Sequence, residues 1–324
     1  MRLIMMGTGP FAVPTFRALL AGPHEVVALV TRPTPPPVGR RKTPANPMRD
    51  LGLEHRLPIL EPESVNTPES IAALAAFQPD LLVVCDYGQI LTAAAIEVAP
   101  LGGINLHASL LPKFRGSAPI NWAIYRGEKE TGVSVIHITP LLDGGNILSL
   151  RKTPIGPRDN AVELEARLAE LGIEPVNEAI GQLATWDRVA LLGVPQDPVL
   201  VTTARRLRKT DAQVNWQRTA VQIARQVRAF QPWPGTYLQW QRGSAAPQRL
   251  TLDRVTALAE PATAPPGTVT KSEGQTLWIA TRQGTLSVER WQLEGKKALD
   301  MGEFLRGYSV AVGTNFDIQS PPAT

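Results

Sequence analysis

Five short apolar runs, separated by helical or turn-rich stretches, fill the first half of the chain: Leu3–Met6, Val26–Val30, Leu81–Val84, Ile104–His107 and Val133–Ile138. That alternation constrains the fold more than any other feature. Uninterrupted apolar strands are buried on both faces, and helices between them supply the crossovers of a parallel sheet. Helical patterns fall at Pro14–Leu20, where proline suits a first turn, and at Ser70–Phe77. A third runs over Ala161–Leu171, with Leu164, Leu168 and Leu171 at helical spacing and Asp159 or Asn160 available as a cap. The expectation is an α/β domain over residues 1–187 with a doubly wound, mostly parallel, Rossmann-like sheet.

The pattern changes after residue 187. Residues 188–203 hold Gly193, Pro195 and Pro198 without a helical period and read as a linker. One helix is expected near Ala220–Phe230. Short β-like runs follow at Thr236–Trp240, Gln248–Leu252, Thr276–Ala280 and Leu286–Trp291. Turn residues between them indicate a small, OB-like β-barrel over 204–315, with 316–324 as a tail. A length of 324 residues suits two domains, because single cores rarely grow past roughly 250–300 residues.

Composition excludes several classes. Hydrophobic residues make up 43% and charged residues 19%, an ordinary globular balance, and no apolar run is long enough to cross a bilayer. The N-terminus has no signal-peptide pattern and Cys85 is the only cysteine, so a cytoplasmic protein without membrane attachment, disulfides or a cysteine-held metal is expected. No cluster of ligand-type residues suggests any other metal.

The net charge of +4 permits an anionic partner. Residues 204–228 contain Arg205, Arg206, Arg208, Lys209, Arg218, Arg225 and Arg228 against the single acid Asp211. The proline-rich stretch 32–49 contains Arg32, Arg40, Arg41, Lys42 and Arg49 with no acid. A charge run is usually a solvated face. Two such runs flanking one site fit a nucleic-acid backbone.

Gly7-Thr8-Gly9 after the first strand, with Ala12, loosely imitates a dinucleotide fingerprint. Arg32 stands near the end of the second strand, where a ribose-binding acid belongs, and Pro10 and Pro14 disturb the helix start. A tight turn, with no nicotinamide cofactor, is the better reading.

The chemistry concentrates between Gly102 and Leu148. Asn105 and His107 are two apart on a strand, so they share a face, and Ser109–Pro112 turns the chain just beyond. Open α/β sheets place their sites at such strand ends. Asp143, in the turn Leu142-Asp143-Gly144-Gly145, follows the next strand, and adjacency of the two strands would bring its carboxylate to His107. An amide to hold an oxyanion, an imidazole to move a proton and a carboxylate to orient it would suit acyl transfer to an amine. Taken singly, each has an ordinary explanation: a satisfied histidine, a turn or cap asparagine, a turn aspartate. His24, His55 and His137 read as structural or solvated.

Asn105, His107, Ser109-Leu110-Leu111-Pro112 and Asp143-Gly144-Gly145 together resemble the folate-dependent formyltransferases. The likeness continues through Met6-Gly7-Thr8 with Phe11-Ala12-Val13-Pro14, and through Arg115-Gly116-Ser117-Ala118-Pro119-Ile120. Phe230-Gln231-Pro232-Trp233-Pro234, and Gly295-Lys296-Lys297 before Glu303-Phe304-Leu305-Arg306-Gly307, resemble the C-terminal domain of the branch that acts on initiator methionyl-tRNA. The resemblance implies catalysis by Asn105, His107 and Asp143. It implies 10-formyltetrahydrofolate as co-substrate in a cleft against residues 84–90, with Tyr87, Gly88, Ile90, Ser109, Leu110, Leu111 and Pro112 as candidate contacts. It further implies initiator methionyl-tRNA as partner, held by Arg40, Arg41, Lys42, Arg205, Arg206, Arg208 and Lys209. A monomer is expected.

Three features depart from the family pattern: Asp86 replaces a small residue before Tyr87-Gly88, Asn146 stands where an acid is common, and the loop Pro33–Pro47 has an unusual triple proline. Three rivals share much of this pattern. A formyltransferase for a nucleotide-linked amino sugar would suit Asn121-Trp122 and Lys113-Phe114-Arg115. A folate- or RNA-binding protein would lack one of the three catalytic positions. A formylfolate hydrolase would put water in place of the amine.

Overall fold

The computed structural model describes residues 1–35, 45–242 and 246–316. Arg40, Arg41 and Lys42 lie outside the described residues. The chain divides into two compact units. The first comprises Met1–Pro119, Glu130–Pro154 and Leu164–Arg205; the second comprises Ile120–Lys129, Ile155–Glu163 and the chain from Arg206 onward.

Among the described residues, the first unit is built on seven strands: β1 (Arg2–Met6), β2 (Glu25–Val30), β3 (Ile59–Leu60), β4 (Leu81–Val84), β5 (Gly103–His107), β6 (Glu130–His137) and β7 (Ile147–Pro154). Their order is β3-β2-β1-β4-β5-β6-β7. Strands β1 to β5 are parallel, whereas β6 runs antiparallel to β5 and β7 antiparallel to β6. Leu3–Met6 and Leu81–Val84 are buried throughout, as strands covered on both faces require. The chain moves outward from β1 to β3 and then returns to β4, so β1 and β4 flank a topological switch point whose crevice opens at their carboxyl ends.

The helices of the first 184 residues are α1 (Val13–Leu20), α2 (Pro47–Glu54), α3 (Pro68–Ala75), α4 (Ala93–Ile96), α5 (Pro119–Arg126), α6 (Ala161–Leu171) and α7 (Ile173–Ala184). Their starts are written in the sequence. Asn46 and Thr67 accept from the backbone three residues on, each followed by proline at the first helical position. Asn160 accepts from the Glu163 amide while Glu163 accepts from the Asn160 amide, a reciprocal box that opens α6. Asp159, the alternative cap, instead receives the Gly156 amide.

The second unit carries α8 (Ala220–Ala229), β8 (Tyr237–Trp240), β9 (Gln248–Leu258), β10 (Val269–Glu273), β11 (Thr276–Ala280), β12 (Thr285–Leu293), β13 (Ala298–Asp300) and α9 (Met301–Gly307). Its sheet runs β10-β11-β12-β9-β8, with β13 on β12, all antiparallel. Irregular register between β9 and β12 bends this barrel-like sheet around Trp216, Trp240, Trp291 and Phe304.

The basic run at 204–228 divides. Arg205, Arg206, Arg208 and Lys209 are exposed. Arg228 donates to the Asp159 carbonyl at 2.6 Å, Arg218 bonds the Tyr125 hydroxyl, and the Arg225 guanidinium packs over Gly127. Those three contact protein.

Candidate active site

Strand β5 ends the parallel part of the sheet, with Asn105 opposite Val84 of β4. Alternation along β5 puts Asn105 and His107 on one face. Asn105 is partly exposed, and among the described residues its carboxamide makes no hydrogen bond, so both its donor and its acceptor remain available.

His107 is buried, and its ring is bracketed. Nε2 lies 3.0 Å from the Phe114 carbonyl. A carbonyl only accepts, so Nε2 carries the hydrogen and, in the neutral ring, Nδ1 holds the lone pair. Nδ1 faces the Asp143 carboxylate, with Oδ2 at 3.8 Å and the two side chains only 7% and 11% exposed. That distance exceeds a direct hydrogen bond and leaves the lone pair open to a proton. The same Oδ2 accepts the Gly116 amide at 2.8 Å.

Asp143 reaches His107 by a different route from the one strand adjacency suggests. Because β6 is antiparallel, its last residue, His137, lies opposite Ile104 near the start of β5, while His107 pairs with Ser134. The chain beyond β6 doubles back, and the turn 141–145 carries the carboxylate to the other end of β5. His137 itself is structural, with Nε2 3.1 Å from the Leu101 carbonyl.

The loop that brackets His107 is closed by its own polar groups and by Ser134 of β6. Ser109 Oγ donates to the Lys113 carbonyl at 2.7 Å, and Ser134 Oγ links the Ser109 carbonyl to the Leu111 amide. Ser109, Leu111 and Tyr87 are buried, whereas Gly88 and Ile90 are exposed and Leu110 and Pro112 partly so. Thr202 accepts the Phe114 amide on its hydroxyl and the Arg115 amide on its carbonyl, both at 2.9 Å.

Residues 188–203, read as a linker, run along this unit. Val194 and Ile147 exchange backbone hydrogen bonds at 2.8 and 2.9 Å. Asn146 donates to the Leu192 carbonyl at 2.9 Å, which the acid common at that position could not do when ionised. Gln196 bridges Arg115 to the Asp143 turn. None of these three attachments is visible as a local motif.

Asp86 lies just beyond β4, in the crevice at the switch point. Asp86 as a residue is exposed, but its carboxyl lies against the Gly9 turn, and the solvation lost there, with the Glu165 charge adding, raises it to about 6. The carboxylate lies over Gly9 so closely that a Cβ there would meet Oδ2. An acid seated on the glycine turn repels a pyrophosphate, which counts against the dinucleotide reading. Burial also pushes the Tyr87 hydroxyl up to about 12, with Arg32 opposing. Among the described residues no group of three or more His, Cys, Asp or Glu could hold a metal ion, and no helix is long and apolar enough to cross a membrane.

Comparison with known proteins decides the family. The sequence profile described as "Formyl transferase" matches residues 1–180, and "Formyl transferase, C-terminal domain" matches residues 206–309. The chain belongs to the formyl transferase family. This formyltransferase is 43% identical over 322 residues to the methionyl-tRNA formyltransferase of Rhodopirellula baltica, covering 97% of this chain and 96% of that one. It is 38% identical over 314 residues to the enzyme of that name from Geobacter sulfurreducens, with 97% and 96% covered. Among solved structures, a sugar 3N-formyl transferase (WlaRD), crystallised with dTDP and 5-N-formyl-THF, superposes with a TM-score of 0.63 at 18% identity, covering 92% of this chain and 99% of that one. HypX from Aquifex aeolicus, in complex with tetrahydrofolic acid, gives 0.59 at 16% identity, covering 97% and 50%. At those identities the likeness is one of fold.

Proposed function

We propose that this formyltransferase moves the formyl group of 10-formyltetrahydrofolate onto the amino group of initiator methionyl-tRNA, in the cytoplasm and as a monomer. Residues 1–187 would supply catalysis, 188–203 the connection and 204–315 the tRNA-binding module. The observation that carries the chemistry is the bracketed imidazole, with a proton on Nε2 toward Phe114 and a lone pair on Nδ1 toward Asp143.

The amine nitrogen attacks the formyl carbon, and the carbonyl oxygen becomes an oxyanion that the Asn105 carboxamide stabilises by donation. His107 Nδ1 takes the proton released by the amine and returns it to the folate N10 as the C–N10 bond breaks. The imidazolium formed between these steps faces the Asp143 carboxylate, which the Gly116 amide holds in place. The folate ring would lie against the chain from Val84 to Ile90, where Gly88 and Ile90 are exposed, and under Leu110 to Pro112. No step calls for a metal or nicotinamide. Arg205, Arg206, Arg208 and Lys209 would hold tRNA phosphates, and Arg40, Arg41 and Lys42 the acceptor end.

Relatives at 38–43% identity that carry the methionyl-tRNA name support the tRNA acceptor. The amino-sugar alternative loses two of its supports: the Asn121 amide is committed to the Ala229 carbonyl, and Trp122 lies edge-on to Tyr125 and Phe230. The test is an acceptor comparison with the purified protein and 10-formyltetrahydrofolate. Charged initiator tRNA should be formylated. Transfer only to an amino-sugar nucleotide, or only release of formate, would refute the assignment.

A further inference from the structure

Within the turn that carries Asp143, the Leu141 carbonyl accepts from the Gly144 amide at 3.1 Å and from Thr139 Oγ1 at 3.4 Å, and neither bond involves Asp143. Leu141 and Leu142 are 62% and 50% exposed, two glycines follow, and Asp143 itself adopts φ +48°, a conformation disfavoured for any residue with a Cβ. Yet the mechanism requires its carboxylate in one place. The restraint comes from a side chain 53 residues away in sequence.

Gln196 Nε2 donates to the Asp143 carbonyl and to the Gly145 carbonyl, each at 2.8 Å. Its Oε1 accepts from Arg115 Nε at 3.1 Å and from the second guanidinium nitrogen at 2.7 Å. Both hydrogens of the amide are therefore on the Asp143 turn, and its oxygen is on Arg115. The residue after Arg115 is Gly116, whose amide binds the Asp143 carboxylate. One side chain thus fixes the two loops that meet at that carboxylate. Gln196 is itself anchored, because Val194 pairs with Ile147 and Leu192 receives the Asn146 amide. Glutamate would keep the bonds from Arg115 but could donate nothing to the two carbonyls.

We propose that Gln196 is a positioning residue for formyl transfer: it sets the Asp143 carboxylate against His107 by clamping the turn to Arg115. This rests on the reading of His107 and Asp143 as the proton-transfer pair. Both ends of the Gln196 amide are taken up by protein, and its effect passes through Asp143.

The experiment measures single-turnover formyl transfer at saturating 10-formyltetrahydrofolate and charged initiator tRNA, in wild type, Gln196→Glu, Asp143→Ala and the double variant, with melting temperatures alongside. Gln196→Glu should slow the chemical step by about 10–100-fold, the scale of a small misplacement of reacting groups. Half-saturation for both substrates should change by less than about threefold, because the lost interaction serves the transition state. In the Asp143→Ala background, Gln196→Glu should have no further effect. Gln196→Ala, which removes both halves of the clamp without adding charge, keeps the test decidable should the glutamate variant fold poorly. A wild-type rate in the folded Gln196 variants would overturn the proposal, as would effects that multiply in the double variant or a loss confined to half-saturation. A wild-type rate in Asp143→Ala would instead overturn the underlying reading of the pair, and the positioning role with it.

Discussion

The Gly116 amide donates to the Asp143 carboxylate at 2.8 Å, and only glycine can make that approach. Its φ is +120°, and a Cβ at this position would lie 2.6 Å from the Ala204 carbonyl oxygen. Gly116→Ala should therefore cost roughly 1–3 kcal/mol of stability through backbone strain. It should also slow transfer in the protein that remains folded, because the carboxylate loses its donor. Thermal melting and rate per folded molecule check both effects. An alanine variant as stable and as active as wild type would mean the loop has another accessible path.

Asp143→Asn separates charge from shape. The asparagine carbonyl can still accept from Gly116, so the turn should persist while the imidazolium loses its counter-charge. Single-turnover transfer is expected to fall by about 10²-fold or more, on the scale of general acid–base contributions. Melting temperature should stay near wild type. An unaffected rate would show that the carboxylate only shapes the loop.

Asp86 gives a pH signature. Its folded-state value of about 6 lies above the ordinary 3.8, so the folded protein holds this proton more tightly than the unfolded chain does. Its contribution to stability is present below about pH 4 and is lost as pH rises to about 6. Asp86→Asn should consequently be more stable than wild type at pH 7, by on the order of 1 kcal/mol once solvent screening at this exposed carboxyl is allowed for. The advantage should disappear near pH 4. Denaturant melts across that range check it, and a pH-independent difference would contradict the assignment.

Much of this site is legible in the sequence, and for physical reasons. Asn105 and His107 share a face because strand side chains alternate, and the short apolar run that carries them reads as a buried strand. Asp143 stands out by its turn and the family resemblance, although the route it takes follows from antiparallel pairing that no local pattern encodes. Strand β7 is hidden because Ser149, Arg151 and Lys152 interrupt its apolar residues, as expected at a sheet edge. Gln196 and the Gly116 amide cannot be read at all. Their partners are distant in sequence, and one is a backbone group present at every residue but proline. In the basic run at 204–228, counting charges does not show that Arg218, Arg225 and Arg228 contact protein.

The exposed Arg205, Arg206, Arg208 and Lys209 make the tRNA interface testable through salt. Replacing them together by alanine should weaken binding of charged tRNA and flatten its salt dependence. Each phosphate that is no longer neutralised should reduce the slope by roughly 0.7–0.9 log units per log unit of salt. Replacing Arg40, Arg41 and Lys42 should impair use of charged tRNA and leave folate affinity unchanged. Normal use of tRNA at physiological salt by either variant would remove that segment from the interface.

The bracketed imidazole is the centre of the account, and His107→Ala tests it most directly. The measurement is the single-turnover rate of formyl transfer from 10-formyltetrahydrofolate to charged initiator tRNA, with folding verified by melting. Loss of the proton-transfer group should slow the step by about 10²–10⁴-fold while both substrates still bind. A folded His107→Ala protein that transfers formyl at a near-normal rate would contradict the account.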